Sequence, residues 1–150
     1  MLLSPTGRTR GLSSLGRSQR MMRVMSNPEN DLRSFENLVH ARDWEAIESW
    51  RPRVRPEHVA PLVALYDRVG TWDERCAVLQ LLQDKLHPDT RRCMHHFLSA
   101  PNGEDENFEL TKAIAVCHLD RDLGRFVTYL GDREKLAADV AVWRQRALDQ

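Results

Sequence analysis

The chain has 150 residues, 41% hydrophobic and 29% charged, with a formal net charge of zero. That length suits one domain whose core needs neither metal nor disulfide. The balanced charge argues against a dedicated nucleic-acid or membrane-surface binder, and no apolar run approaches the ~20 residues that span a bilayer.

The balance hides an asymmetry. Residues 1–28 carry Arg8, Arg10, Arg17, Arg20 and Arg23 and no acid, which leaves 17 Lys+Arg against all 22 acids in the remainder. Pro5, Gly7, Gly11 and Gly16 break any helix there, so 1–28 reads as a basic tail and 29–150 as the folded domain. Three origins fit the tail: a mitochondrial transit sequence, a disordered arm, or an extension upstream of a start at Met21, Met22 or Met25. The expected location is cytoplasmic, or mitochondrial if the tail is a transit peptide.

Pro28 followed by Glu29 and Asp31 opens the first helix, with Leu32, Phe35, Leu38 and Val39 at helical spacing. Asp43 caps a short second helix carrying Trp44, Ile47 and Trp50. Pro52 and Pro56 make 51–56 a connector. Its Arg51, Arg53 and Arg55 fit either an anion or plain solvation. The third helix, 56–69, has Pro61 inside its pattern, and Gly70 is expected to close it in the left-handed region. Thr71 and Glu74 then form a capping box. The two-residue connection makes helices three and four an antiparallel hairpin.

The fourth helix, 72–87, is the clearest of all. Trp72, Cys76, Leu79 and Leu86 form one stripe, with Ala77, Val78, Leu81 and Leu82 on its flanks. Asp73, Gln80, Asp84 and His87 remain as its polar strip. A helix so apolar must be covered on most sides. The fifth helix follows Pro88, with Met94, Phe97 and Leu98 as core residues, and ends at an acidic loop, 101–106. The sixth starts at Glu106 or Asn107 and is apolar nearly all round. A short seventh covers 120–130. The eighth, 133–148, has Leu136, Val140, Trp143 and Ala147 on one face and charges elsewhere. No stretch alternates with period two, so the chain is all α.

Cys76, Cys93 and Cys117 are odd in number, lie in helical patterns and read as buried free thiols. Cys93, His95, His96, Cys117 and His118 are the metal-ligating types present. Cys93-x-His95 and the adjacent Cys117-His118 do not point to one centre on helices, which favours i and i+3 or i+4 spacing. For the same reason His118 cannot activate Cys117. Phosphate loops and hydrolase or metalloprotease motifs do not occur, and no cofactor is expected. Core packing is expected for at least three of Trp44, Trp50, Trp72 and Trp143.

Pro61-Leu62-x-x-Leu65 followed by Asp73-Glu74-Arg75-x-Ala77-x-x-x-Leu81-Leu82 resembles the HEAT repeat. Glu109-Leu110-Thr111-Lys112-Ala113-Ile114-x-x-Cys117 echoes its second half 36 positions on, from Ala77 to Ala113. The match is best over 57–86 and weaker over 89–119. The resemblance implies a short right-handed α-solenoid of about four antiparallel hairpins, HEAT-like, with irregular terminal repeats. In such a solenoid the second helices, here 72–86, 107–119 and 133–148, line a concave surface. Asp73, Gln80, Asp84, His87, Glu109 and Lys112 are then the candidate binding residues of a mildly acidic groove. The function implied is a non-enzymatic interaction module that binds a protein partner, with no nucleic acid or membrane involved. The alternative is a small-ligand-binding protein or lyase-type enzyme on the same scaffold; a DNA-base glycosylase would need a basic groove, which an acidic domain does not supply.

Overall fold

A computed structural model of the chain describes residues 28–100 and 105–148. The basic tail and most of the acidic loop lie outside these residues. The chain divides into two compact units, 1–34 and 35–150. The described part of the first is the opening of one helix; the second holds everything considered below.

Every regular element among the described residues is a helix. They are α1 (Pro28–Ala41), α2 (Trp44–Trp50), α3 (Pro56–Arg68), α4 (Trp72–Leu81), α5 (Pro88–Phe97), α6 (Glu106–Leu119), α7 (Arg125–Gly131) and α8 (Arg133–Leu148), with one 3₁₀ turn at Arg51–Arg53. Local chemistry explains most of the starts. Asp43, Thr71 and Asp105 each accept a backbone N–H of the turn they open, satisfying donors that a helix leaves without partners. His87 does the same for α5 through Nδ1. The box at α4 is half of what the sequence implies. Glu74 takes the Thr71 hydroxyl at 2.9 Å, while Thr71 accepts from the Glu74 N–H at 3.2 Å. Pro61 does not interrupt α3, whose first turn starts at Pro56. Pro61 has no N–H to give the carbonyl four residues back, and that residue, Glu57, is exposed to solvent.

Four expectations need correction. The fourth helix stops at Leu81, six residues short of His87. Leu82 closes it, and residues 82–84 form turns. Leu86 is therefore not on its stripe and is 44% exposed. The seventh helix begins at Arg125 rather than Asp120, because α6 ends in a tight left-handed cap at Arg121. Gly70 does not adopt a positive φ. The non-glycine residues that do are Arg42 (φ 51°) and Arg121 (φ 57°), one beyond α1 and one beyond α6. At both, the next residue's N–H reaches back five positions, Asp43 to Leu38 at 3.3 Å and Asp122 to Cys117 at 2.9 Å. That is the Schellman closure, with arginine where glycine is usual.

The fourth correction concerns tryptophan: all four are only partly buried. Three of them carry a guanidinium on the ring face, Arg53 at 4.1 Å over Trp50, Arg75 at 4.7 Å over Trp72 and Arg146 at 4.4 Å over Trp143. The rings fill the edge of the core and offer their outer face to a cation, which tolerates water better than a buried charge does.

The core itself is contributed by every helix from α1, through Phe35 and Val39, to α8. Residues 76–81 of α4 with its cap Leu82, and residues 111–119 of α6, are buried without a break. In packing, α2 lies on α4, α4 on α6, and α6 on α7 and α8; α3 lies on α4 and α5, and α5 on α6 and α8. The continuous burial of α4 and α6 follows from these neighbours. Ala77, Ala113 and Ala115, all buried, are the small residues that permit close approach of the helices. The thiols of Cys76, Cys93 and Cys117 are free and buried, as the sequence implies.

Candidate functional site

A groove of about 280 Å³ opens across α2, α4, α6 and α7, lined by Ile47, Glu48, Arg51, Gln80, Gln83, Leu110, Phe126 and Leu130. It combines apolar side chains (Ile47, Leu110, Phe126, Leu130) with two amides (Gln80, Gln83) and the charged Glu48 and Arg51. Ile47 is covered, Leu110 and Phe126 are half-buried, and Leu130 is 49% exposed. Val127, next along α7, is 74% exposed. Of these two exposed side chains, Leu130 lines the groove.

The polar side is held firmly. Arg51 donates through Nε to Asp84 at 3.0 Å and through Nη1 to the Gln83 side-chain oxygen at 3.0 Å. Gln80 Nε2 donates to Asn107 Oδ1 at 3.3 Å and Thr111 Oγ1 at 3.4 Å. The Thr111 hydroxyl in turn donates to the Asn107 carbonyl at 2.7 Å. These bonds fix the Gln80 amide between α4 and α6. Its carbonyl oxygen and the Gln83 amide NH₂ carry complementary chemistry for a peptide group.

The six residues read from the sequence separate. Gln80 lines the groove but is 8% exposed, so it is floor and not open strip. Asp84 reaches the groove through its bond to Arg51. Glu109 lies on an adjoining cleft that shares Leu110 and Leu130 with the groove. Lys112 is 5% exposed and lies 3.5 Å from the Glu109 carboxylate, so its charge faces inward. Asp73 is exposed in the first turn of α4, two helical turns from Gln80. His87 belongs to a different cavity. The expected strip Asp73–Gln80–Asp84–His87 is not one face, because the helix that would align it ends at Leu81.

Ile47, Arg51, Leu110, Phe126 and Leu130 are groove residues that sequence reasoning assigned to core or connector, and it did not single out Glu48. Periodicity marks Phe126 and Leu130 as apolar, but nothing local separates a covered apolar face from an open one. The three connector arginines go separate ways: Arg51 to Asp84 and Arg53 onto Trp50, while the Arg55 backbone N–H binds His58 Nδ1 at 2.9 Å.

Reactive side chains are tied into packing. Burial pushes the thiols of Cys76 and Cys117 up to about 12 and that of Cys93 up to about 11, which keeps them as thiols near neutrality and poor nucleophiles. The His96 Nδ1 takes the Tyr66 hydroxyl at 2.8 Å, with the ring stacked on Trp72. Burial, and then the nearby Arg75 and Arg92, hold this imidazole below its ordinary value. His95 Nε2 faces the Trp143 carbonyl at 3.3 Å. Among the described residues no three of His, Cys, Asp and Glu converge as metal ligands would, and no helix there is long and apolar enough to cross a membrane. No family model matches the chain, and neither a curated protein nor a solved structure matches it.

Proposed function

We propose that the chain is a small HEAT-like α-solenoid that works as a protein-interaction module, taking an amphipathic segment of a partner protein into the groove across α2, α4, α6 and α7. The observation that carries this is the groove itself: four apolar side chains, two amides and the charged pair Glu48 and Arg51, with Leu130 half in water at its edge. The packing order supports the solenoid reading. Contacts of α2 with α4, α4 with α6 and α3 with α5 are those that stacked hairpins would make. The partner segment would set an apolar anchor between Ile47, Leu110 and Phe126. It would also carry lysine or arginine opposite Glu48 and Glu109, in keeping with the excess of acids over residues 29–150. A preformed groove loses little conformational entropy on binding, and one buried anchor dominates the affinity of such contacts.

Selection of a displayed random-peptide library on the full chain tests the proposal. Enriched peptides should share apolar residues at helical spacing next to Lys or Arg. Their binding should fall by tenfold or more, about 1.4 kcal/mol, in Phe126→Ala and Leu130→Glu. Peptides that bind the two variants as well as the parent chain would place recognition elsewhere.

A further inference from the structure

A second cavity, on the side of α5 and α6, has the chemistry of an oxyanion site. It offers about 60 Å³ and is lined by Leu86, His87, Pro88, Thr90, Arg91, His118 and Arg121. A water needs roughly 10–15 Å³ of such space, so there is room for a small polyatomic ion. The titratable lining is two arginines and two histidines, with no carboxylate.

The neighbouring acids are already engaged. Arg125 holds Asp120 at 2.9 Å and Asp122 at 3.5 Å, and Arg51 holds Asp84 at 3.0 Å. Asp89 sits outside the lining, 3.8 Å from His87 Nδ1. Among the described residues neither Arg91 nor Arg121 forms an ion pair. Arg91 is nonetheless positioned: Nη1 donates to the Leu119 carbonyl at 2.9 Å, and the guanidinium lies 5.5 Å from the Trp143 ring centre. Only part of its fork is used, which leaves N–H groups for an acceptor.

The histidines add direction. His118 is 2% exposed. Its Nε2 lies 2.8 Å from the Gln83 carbonyl, an acceptor, so Nε2 carries the ring proton and Nδ1 is the bare nitrogen of the neutral ring. Nδ1 meets the Thr90 hydroxyl at 3.5 Å, a long contact, while that hydroxyl donates to the His87 carbonyl at 2.7 Å. The acceptor nitrogen of a residue lining the cavity therefore has a weak protein partner that a ligand O–H can improve on. His87 shows the other tautomer: Nδ1 accepts the Asp89 N–H at 3.1 Å, so Nε2 bears hydrogen.

We propose that this cavity binds a phosphate group, either free or as the monoester of a small metabolite. Its charged oxygens would meet Arg91, Arg121 and His87 Nε2–H, and its remaining O–H would donate to His118 Nδ1. Inorganic phosphate keeps an O–H at neutral pH, and a monoester, whose second pKa is about 6, keeps one when titrated at about pH 6, the pH of the test; sulfate supplies acceptors only. The site shares no lining residue with the groove, so each proposal stands or falls alone.

The test is titration of the full chain with inorganic phosphate at constant ionic strength, with chloride as the control. Heat and the His118 ring carbon–proton resonance are the readouts. A saturable His118 shift with Kd below about 10 mM, and phosphate favoured over sulfate by roughly tenfold for one hydrogen bond, is the expected result. Arg121→Gly is the decisive variant. Glycine suits the positive φ at that cap, so melting temperature should hold or rise while phosphate affinity drops at least tenfold. A phenyl phosphate arm identifies the source. Tighter binding than inorganic phosphate supports a monoester ligand, and weaker binding supports the free ion. Absence of a saturable shift, equal affinity for sulfate, or undiminished binding by Arg121→Gly would overturn the assignment.

Discussion

Helices α6 and α8 are of similar length and meet opposite fates. Nine consecutive residues of α6, Thr111 to Leu119, are buried, including Thr111, Lys112 and His118. Through Arg146, α8 buries only Leu136 and Val140 and leaves Val142 47% exposed. The difference lies in the neighbours: α6 is packed by α4, α5, α7 and α8, whereas α8 packs on α5, α6 and α7 from one side. Covering a helix all round makes every side chain on it a packing residue and forces its polar groups to find partners inside the protein. His118 shows this with its bond to Gln83, and Lys112 with Glu109.

The contrast can be broken by placing one charge on each helix. Ala115→Glu puts a carboxylate at a fully buried site of α6 and should cost several kcal/mol, enough to abolish the folding transition. Ala141→Glu, on the exposed side of α8, should stay within about 0.5 kcal/mol. Equal melting temperatures for the two would refute the packing described above. Truncation of Phe97, fully buried on α5, comes next: Phe97→Ala should lose about 3–5 kcal/mol in a denaturant titration.

Acid should act through His118, which is buried, and His96, which is exposed but partly desolvated. Desolvation lowers His118 and His96 below their ordinary value of 6.5, so the unfolded chain takes up protons first as pH falls. The stability tied to their neutral rings is complete above about 6.5 and declines below it, towards the lowered folded-state values. Thermal melts at pH 7.5 and 5.5 should show a drop in melting temperature that His118→Gln reduces. A drop of the same size in that variant would remove His118 from the account. The smallest effect belongs to the caps. Arg42→Gly relieves a positive φ at the end of α1 and should gain up to about 1 kcal/mol, offset in part by the freer unfolded chain. A lower melting temperature would show that the Arg42 side chain matters more than its backbone.

Much of the fold was legible because its determinants are local. The caps at Asp43 and Thr71, the connector between Pro52 and Pro56, and the excess of apolar residues on α4 and α6 all act within a few positions. The errors share a cause as well. The stripe through Leu86 and the strip through His87 assumed that periodicity continues as long as the pattern allows. In the structure the chain turns at Leu82, and residues beyond it face other neighbours. The tryptophans look like core in a pattern because periodicity records that a face is apolar, not how far it is covered.

The sequence by itself determined an all-helical chain, its sequential order of helices and which two of them must lie deepest, since those follow from 3.6-residue spacing and capping. Only the tertiary structure decided the two cavities. One gathers Ile47, Gln80, Leu110 and Phe126 from four helices, and the other sets Arg91 beside Arg121 across 30 positions. Each depends on which side chains the packing leaves uncovered, and no local pattern carries that.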